Sequence, residues 1–149
     1  MPCCFLPVED VRVTLHFGKY HDVDSSEAAF KLAASMCFQE CFMKSKPVLL
    51  EPIVTLEITV PSQHMGDITG DLNSRRGRII GMDSDGDLQV VRAQAPLSGV
   101  MRYATELRSM TGGTGSYSME FSHYDVVPAR EAEQIIALHK KEKEEAHGR

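Results

Sequence analysis

Residues 54–82, VTLEITVPSQHMGDITGDLNSRRGRIIGM, change hydrophobic period twice. Val54, Leu56, Ile58 and Val60 alternate with Thr55, Glu57 and Thr59, the two-residue period of a strand with one buried face. Pro61 and Ser62 then open a helix in which Met65, Ile68 and Leu72 recur at three- and four-residue spacing, and the helix closes near Gly77. From Arg78 to Met82 the pattern is a strand again, so one strand–helix–strand half is legible here.

Downstream the same half repeats in a degenerate form. Asp83-Ser84-Asp85-Gly86-Asp87 has the composition of a hairpin loop and leads into a strand over Leu88 to Ala95. Pro96 starts a second helix with Val100, Ala104 and Leu107 facing inward, and Gly112, Gly113 and Gly115 break it. A last strand puts Tyr117, Met119 and Phe121 on one face and Ser116, Ser118, Glu120 and Ser122 on the other. The order βαββαβ predicts an α+β, ferredoxin-like sandwich: an antiparallel sheet with two helices on one face.

Upstream, Val11, Val13 and Leu15 against Arg12, Thr14 and His16 predict a strand over Val8 to Phe17, ending at Gly18. A helix follows, with Asp24 as its cap, Glu27 at the capping-box position, and a stripe of Phe30, Ala33, Ala34, Cys37 and Cys41. It should end before Pro47, and Lys46 to Pro52, with two prolines, reads as an extended connector. The expected organisation is a partial α+β segment over 1–52, the ferredoxin-like domain over 53–128, and a helical tail over 129–149. The tail carries Ile135, Ile136 and Leu138 before a charge run, Lys140 to Glu145, that should be a frayed, solvated end.

Composition narrows the function. With 149 residues, 42% hydrophobic and 25% charged, the chain suits one domain and a fraction. A formal charge of −5 excludes a generic polyanion binder, because non-specific phosphate binding needs an excess of Lys and Arg. Any RNA contact must be local. No apolar run is long enough to span a membrane and no secretion signal is present, so a cytoplasmic location is expected, with the four cysteines kept as thiols. Cys37 and Cys41, one helical turn apart, read as core thiols rather than half of a metal site. The Asp83–Asp87 string places Gly86 fourth and Gln94 twelfth, which is not a calcium loop. No nucleophile, base and orienting group occur together, and His123 reads as a packed or interfacial histidine.

Several longer strings are specific. Tyr20-His21-Asp22-Val23-Asp24-Ser25-Ser26-Glu27, Pro47-Val48-Leu49-Leu50-Glu51-Pro52 and Gly70-Asp71-Leu72-Asn73-Ser74-Arg75-Arg76-Gly77 occur in order. Tyr103-Ala104-Thr105-Glu106-Leu107-Arg108-Ser109-Met110-Thr111 and Glu120-Phe121-Ser122-His123-Tyr124 follow. Together they resemble bacterial elongation factor G from about Pro7 to Pro128. The resemblance implies the second half of that family's domain IV followed by its domain V, cut away from the GTPase. No Gly-x-x-x-x-Gly-Lys-Ser/Thr string occurs, so GTP and magnesium would belong to the parent factor's missing domain and this chain would carry no cofactor and no enzymatic activity. Met1 to Leu6 depart from the family pattern, which points to a truncated chain.

The partners implied are the ribosome, namely large-subunit rRNA, the GTPase-associated centre, and the transfer and messenger RNAs at the A site, together with the missing GTPase domains. No membrane partner is implied. By the resemblance, Lys19, Tyr20 and His21 lie at a tip that contacts transfer RNA in the decoding site. Asn73, Ser74, Arg75, Arg76 and Arg78 are candidate rRNA contacts, being a dense cationic patch in a domain otherwise balanced in charge. Arg108, Ser109 and Thr111 are candidates too, although Gly112 stands where many relatives carry glutamine. Two other readings compete: a stand-alone ferredoxin-like module that binds a regulator or another protein, and an acylphosphatase-like hydrolase using Asn73 and the arginines.

Overall fold

The computed structural model describes residues 7–147, with side chains through His139 and at Lys141; Met1 to Leu6 lie outside the described residues. Leu49–Val127 forms one compact unit, and the described chain on either side of it groups separately. In the central unit, β1 (Leu50–Pro61) is followed by a 3-10 turn (Ser62–His64), α2 (Met65–Ser74), β2 (Arg78–Asp85) and β3 (Leu88–Pro96). A short α3 (Leu97–Val100), then α4 (Tyr103–Met110) and β4 (Ser116–Val126), complete it. The strands form one sheet in the order β2-β3-β1-β4 with every neighbouring pair antiparallel. The expected α+β ferredoxin-like architecture is therefore the observed one.

The alternation of β1 decides what it buries. Leu56, Ile58 and Val60 are fully buried, with Val91, Ala93 and Ala95 of β3 beside them. Ile68 and Leu72 of α2, and Val100, Tyr103 and Leu107 of the second helical segment, close the layer above. Each such aliphatic side chain contributes about 1.5–3 kcal/mol by leaving water. β1 begins at Leu50, so Leu50 to Pro52 are strand rather than connector. They extend past the end of β3, whose pairing with β1 starts at Ile53, and pair with β4 alone. Pro52 thus sits where β1 has a neighbour on one side only, the place a sheet tolerates a missing N–H.

The hairpin between β2 and β3 is tighter than the loop expected from composition. Asp85 pairs with Leu88, leaving the two-residue turn Gly86-Asp87 with Gly86 at φ 62°. The second helix is broken at Met101-Arg102 into α3 and α4, and its largest buried side chain is Tyr103, which the inward set Val100, Ala104 and Leu107 omits. On β4, Tyr117 is half-buried, but Met119 and Phe121 are 40% and 60% exposed, because this is an edge strand. His123 is exposed, and its Nδ1 lies 2.9 Å from Ser122 Oγ.

Outside this unit three expectations fail. Val8 to Phe17 forms no strand: Val13, Leu15 and Phe17 are 69%, 89% and 75% exposed, and no described residues pair with them in a ladder. Alternation only permits a strand, whereas the ladder needs a partner to accept and donate its hydrogen bonds. The helix α1 (Glu27–Lys44) is capped by Ser26, whose Oγ accepts from Ala29 N at 3.1 Å, not by Asp24. Asp24 belongs to the preceding turn, closed by Ser25 N donating to His21 O at 3.0 Å. The helix does stop before Pro47, and it buries no residue, so Cys37 and Cys41 are exposed thiols rather than core.

The helix α5 (Ala129–His147) covers the expected tail, with Ile135 and Ile136 half-buried. Its backbone stays helical through the charge run, and the side chains of Lys140 and of Glu142 to Glu145 lie outside the described residues. No helix of the described residues is long and apolar enough to cross a membrane.

Candidate nucleic-acid interface

The two longer helices of the central unit, α2 and α4, end in bends that bring polar side chains to the surface. At the end of α2, Arg76 N donates to Asn73 O at 3.2 Å and Gly77 N to Leu72 O at 2.7 Å, a Schellman closure. The left-handed position of such a closure usually holds glycine, yet here Arg76 occupies it at φ 60°. Glycine comes one residue later, where a Cβ on Gly77 would stand 2.7 Å from Leu72 O.

The three arginines at this bend have different fates. Arg75 turns inward. Its Nε and Nη2 donate to Asp71 Oδ2 and Oδ1 at 2.8 and 2.9 Å, and Nη1 donates to Gly99 O at 2.9 Å. Glu106 Oε2 lies 2.9 Å from Nη2, an ion pair without hydrogen-bond alignment, and the guanidinium sits 5.8 Å from the Tyr103 ring centre. The hydrogen bond with Asp71 holds Arg75 charged beyond its usual range. A fork so occupied is not available to a phosphate, which corrects the assignment of Arg75 as an rRNA contact.

Arg76 Nη2 reaches both carboxylate oxygens of Glu51, at 2.7 and 2.5 Å. The side chains of Arg78 and Asn73 are exposed and engage no described residue, while Ser74 Oγ donates to Asp71 O at 2.7 Å. At this end Arg76 is matched by Glu51, and Arg78 is the exposed arginine.

At the end of α4, Gly113 N donates to Arg108 O at 2.9 Å, a second Schellman closure with Gly112 and Gly113 at φ 59° and 87°. Arg108 and Ser109 are exposed. Thr111 is not: it is 2% exposed, its Oγ1 donates to Leu107 O at 2.7 Å and accepts from Gly115 N at 2.9 Å. Its hydroxyl is saturated inside the fold, so the assignment of Thr111 as an rRNA contact is corrected as well. Gly115 is held against this threonine so tightly that a Cβ would lie 2.9 Å from Oγ1 and 3.1 Å from Leu107 Cγ. Gly115→Ala is expected to destabilise the unit by about 1–3 kcal/mol, read as a lower denaturant midpoint with an unchanged slope.

The two bends lie at opposite ends of the sheet. Arg78 pairs with Gln94, which is level with Thr55, whereas Ser116 pairs with Thr59. Three inter-strand spacings and four residues of rise separate the starts of β2 and β4, about 20 Å. The Arg108–Gly115 bend shares its end with the Asp85-Gly86-Asp87 turn, where acidic side chains disfavour a polyanion. The open face of the sheet offers no alternative platform. Thr55, Glu57, Val90, Gln94, Ser118 and Glu120 surround Arg92, which pairs with Glu57 at 2.8 Å and Asp83 at 3.4 Å, so its charge is already matched by carboxylates.

In the tip segment before α1, Lys19, Tyr20 and His21 are all exposed. Tyr20 OH donates to Asp22 Oδ1, and His21 N donates to Ser25 Oγ at 2.8 Å. Val23 N lies 3.3 Å and Asp24 Oδ2 3.4 Å from His21 Nδ1. Reading the sequence missed the acidic and aromatic partners Glu51, Asp71, Tyr103 and Glu106; only the four-residue step from Asp71 to Arg75 was visible there.

Comparison with known proteins finds two successive matches along the chain. The profile of the family described as Elongation factor G C-terminus matches residues 48–135, and that of Elongation factor G, domain IV matches residues 2–46. A crystal structure of a protein from Thermus thermophilus is similar, with 46% sequence identity and a TM-score of 0.76. The similarity covers 84% of this chain and 19% of that one, so the chain spans under a fifth of that relative's length.

Proposed function

The chain belongs to the elongation factor G family, and from that premise we propose that it is a non-catalytic, ribosome-docking part of a translation elongation factor. The match of two successive regions of one family, in family order, carries this reading. In it, GTP hydrolysis and its magnesium belong to the family's nucleotide-binding domain, and these residues supply contact during movement of transfer and messenger RNA.

The geometry supports a division of labour within that role. The end of the central unit carrying Arg76, Arg78 and Asn73 meets phosphates of large-subunit rRNA near the GTPase-associated centre. Arg75 does not touch RNA but braces the bend from inside. Arg108 and Ser109 form a second, weaker contact at the far end. The tip residues Lys19, Tyr20 and His21 approach transfer RNA in the A site, where the exposed imidazole of His21 stacks on or hydrogen-bonds to a nucleotide.

Arg78 gives the cleanest test because its side chain has no partner to lose among the described residues. Co-sedimentation with ribosomes across a salt series is expected to show binding that weakens as salt rises. Arg78→Glu is expected to lower affinity and to reduce the slope of log affinity against log salt by about 0.7–0.9 per phosphate contact removed. Unchanged affinity and slope in Arg78→Glu would remove rRNA docking at this end.

A further inference from the structure

Two thiols outside the loops described above stand together on α1. Cys37 and Cys41 are both exposed and lie four residues apart on this helix. Side chains at this spacing meet on one helix face with Cβ atoms about 5–6 Å apart. A disulfide needs Cβ atoms about 3.5–4.5 Å apart and sulfurs about 2.05 Å apart, so a direct bond requires α1 to distort. A single bridging atom does not. Two metal–thiolate bonds of about 2.3 Å span up to about 4.6 Å between sulfurs, which suits the undistorted helix.

We propose that Cys37 and Cys41 form a dithiolate site for one soft, low-coordinate monovalent cation of the copper(I) class. Thiolate sulfur selects such ions by softness, and two sulfurs complete the coordination of an ion that accepts two ligands. Four-coordinate zinc is disfavoured, because no group of three or more potential ligands occurs among the described residues. Binding converts two thiols and one monovalent ion into an S–metal–S bridge carrying one negative charge, with release of two protons and no change of oxidation state. Because binding releases two protons, uptake should be weaker in acid.

The test uses the full chain with Cys3→Ser and Cys4→Ser, so that only the helical pair remains. Copper(I) is titrated anaerobically against a chromophoric competitor, with silver(I) as a redox-inert second probe and zinc as the contrasting ion. The expected result is one monovalent ion per chain, loss of that equivalent in both Cys37→Ser and Cys41→Ser, and unchanged helicity on binding. Retention of the ion by either single-serine variant, a stoichiometry of one ion per two chains, or equal competition by zinc would each overturn the site.

Discussion

Replacing Arg75 by alanine is expected to destabilise the Leu49–Val127 unit by about 3 kcal/mol, and replacing it by glutamate by more. Arg75 and Asp71 are 22% and 18% exposed, so this pair lies largely out of water, and removing one partner leaves the other charge uncompensated. The loss is compounded because one guanidinium ties three segments: Asp71 on α2, the Gly99 carbonyl of α3 and Glu106 on α4. With glutamate at 75, three carboxylates would face one another. The side chain of the neighbouring Arg76 is more exposed, 34% against 22%, so Arg76→Ala is expected to cost less than Arg75→Ala. Chemical denaturation of the two alanine variants distinguishes these outcomes, and equal midpoints would refute an internal brace. Ribosome binding by an Arg75 variant would consequently report folding rather than RNA contact.

The second large effect is a loss of stability in alkali. Tyr103 is fully buried, its hydroxyl has no hydrogen-bond partner among the described residues, and its phenol pKa is pushed from 10.0 up to about 12. Burial is the main cause; the negative charge of Asp71 adds to it, Arg75 partly offsets it, and the charge of Glu106 raises it further. The folded state therefore keeps the proton more tightly than the unfolded state does. Its contribution is complete below pH 10 and is lost as pH rises from 10 through 12, about 2–3 kcal/mol in all. Tyr103→Phe removes this loss and leaves no unpaired hydroxyl in the core, so its stability should fall less than the parent's between about pH 9 and 12. A parallel decline in both proteins would show that another group is responsible.

Much of this architecture is legible in short stretches. The alternation Val54-Leu56-Ile58-Val60 and the spacing Ile68-Leu72 each report a buried face, because the residues that share it are two to four positions apart. The spacing Val100-Tyr103-Leu107 carries the same signal, and the tyrosine's place in the core was recoverable from it. Val8 to Phe17 shows where such reasoning stops: its pattern suits a strand as well as β1 does, but a ladder depends on residues elsewhere. The candidate contacts show it more sharply. Ser109 and Thr111 are two residues apart and equally hydroxylic, yet one is exposed and the other is closed off by Leu107 and Gly115.

Within the Leu49–Val127 unit, amino-acid order alone determined the order of strands and helices and the strand faces, and it pointed to the family to which the chain belongs. These depend on steric and hydrogen-bonding preferences that act within a turn or two of each residue. Tertiary structure decided which of three consecutive residues, Arg75, Arg76 and Gly77, braces, pairs or turns. The partners responsible are 24 residues from Arg75 and 25 from Arg76 along the chain. A guanidinium's availability to RNA is set by the carboxylates that folding brings to it, and no local pattern contains that distance.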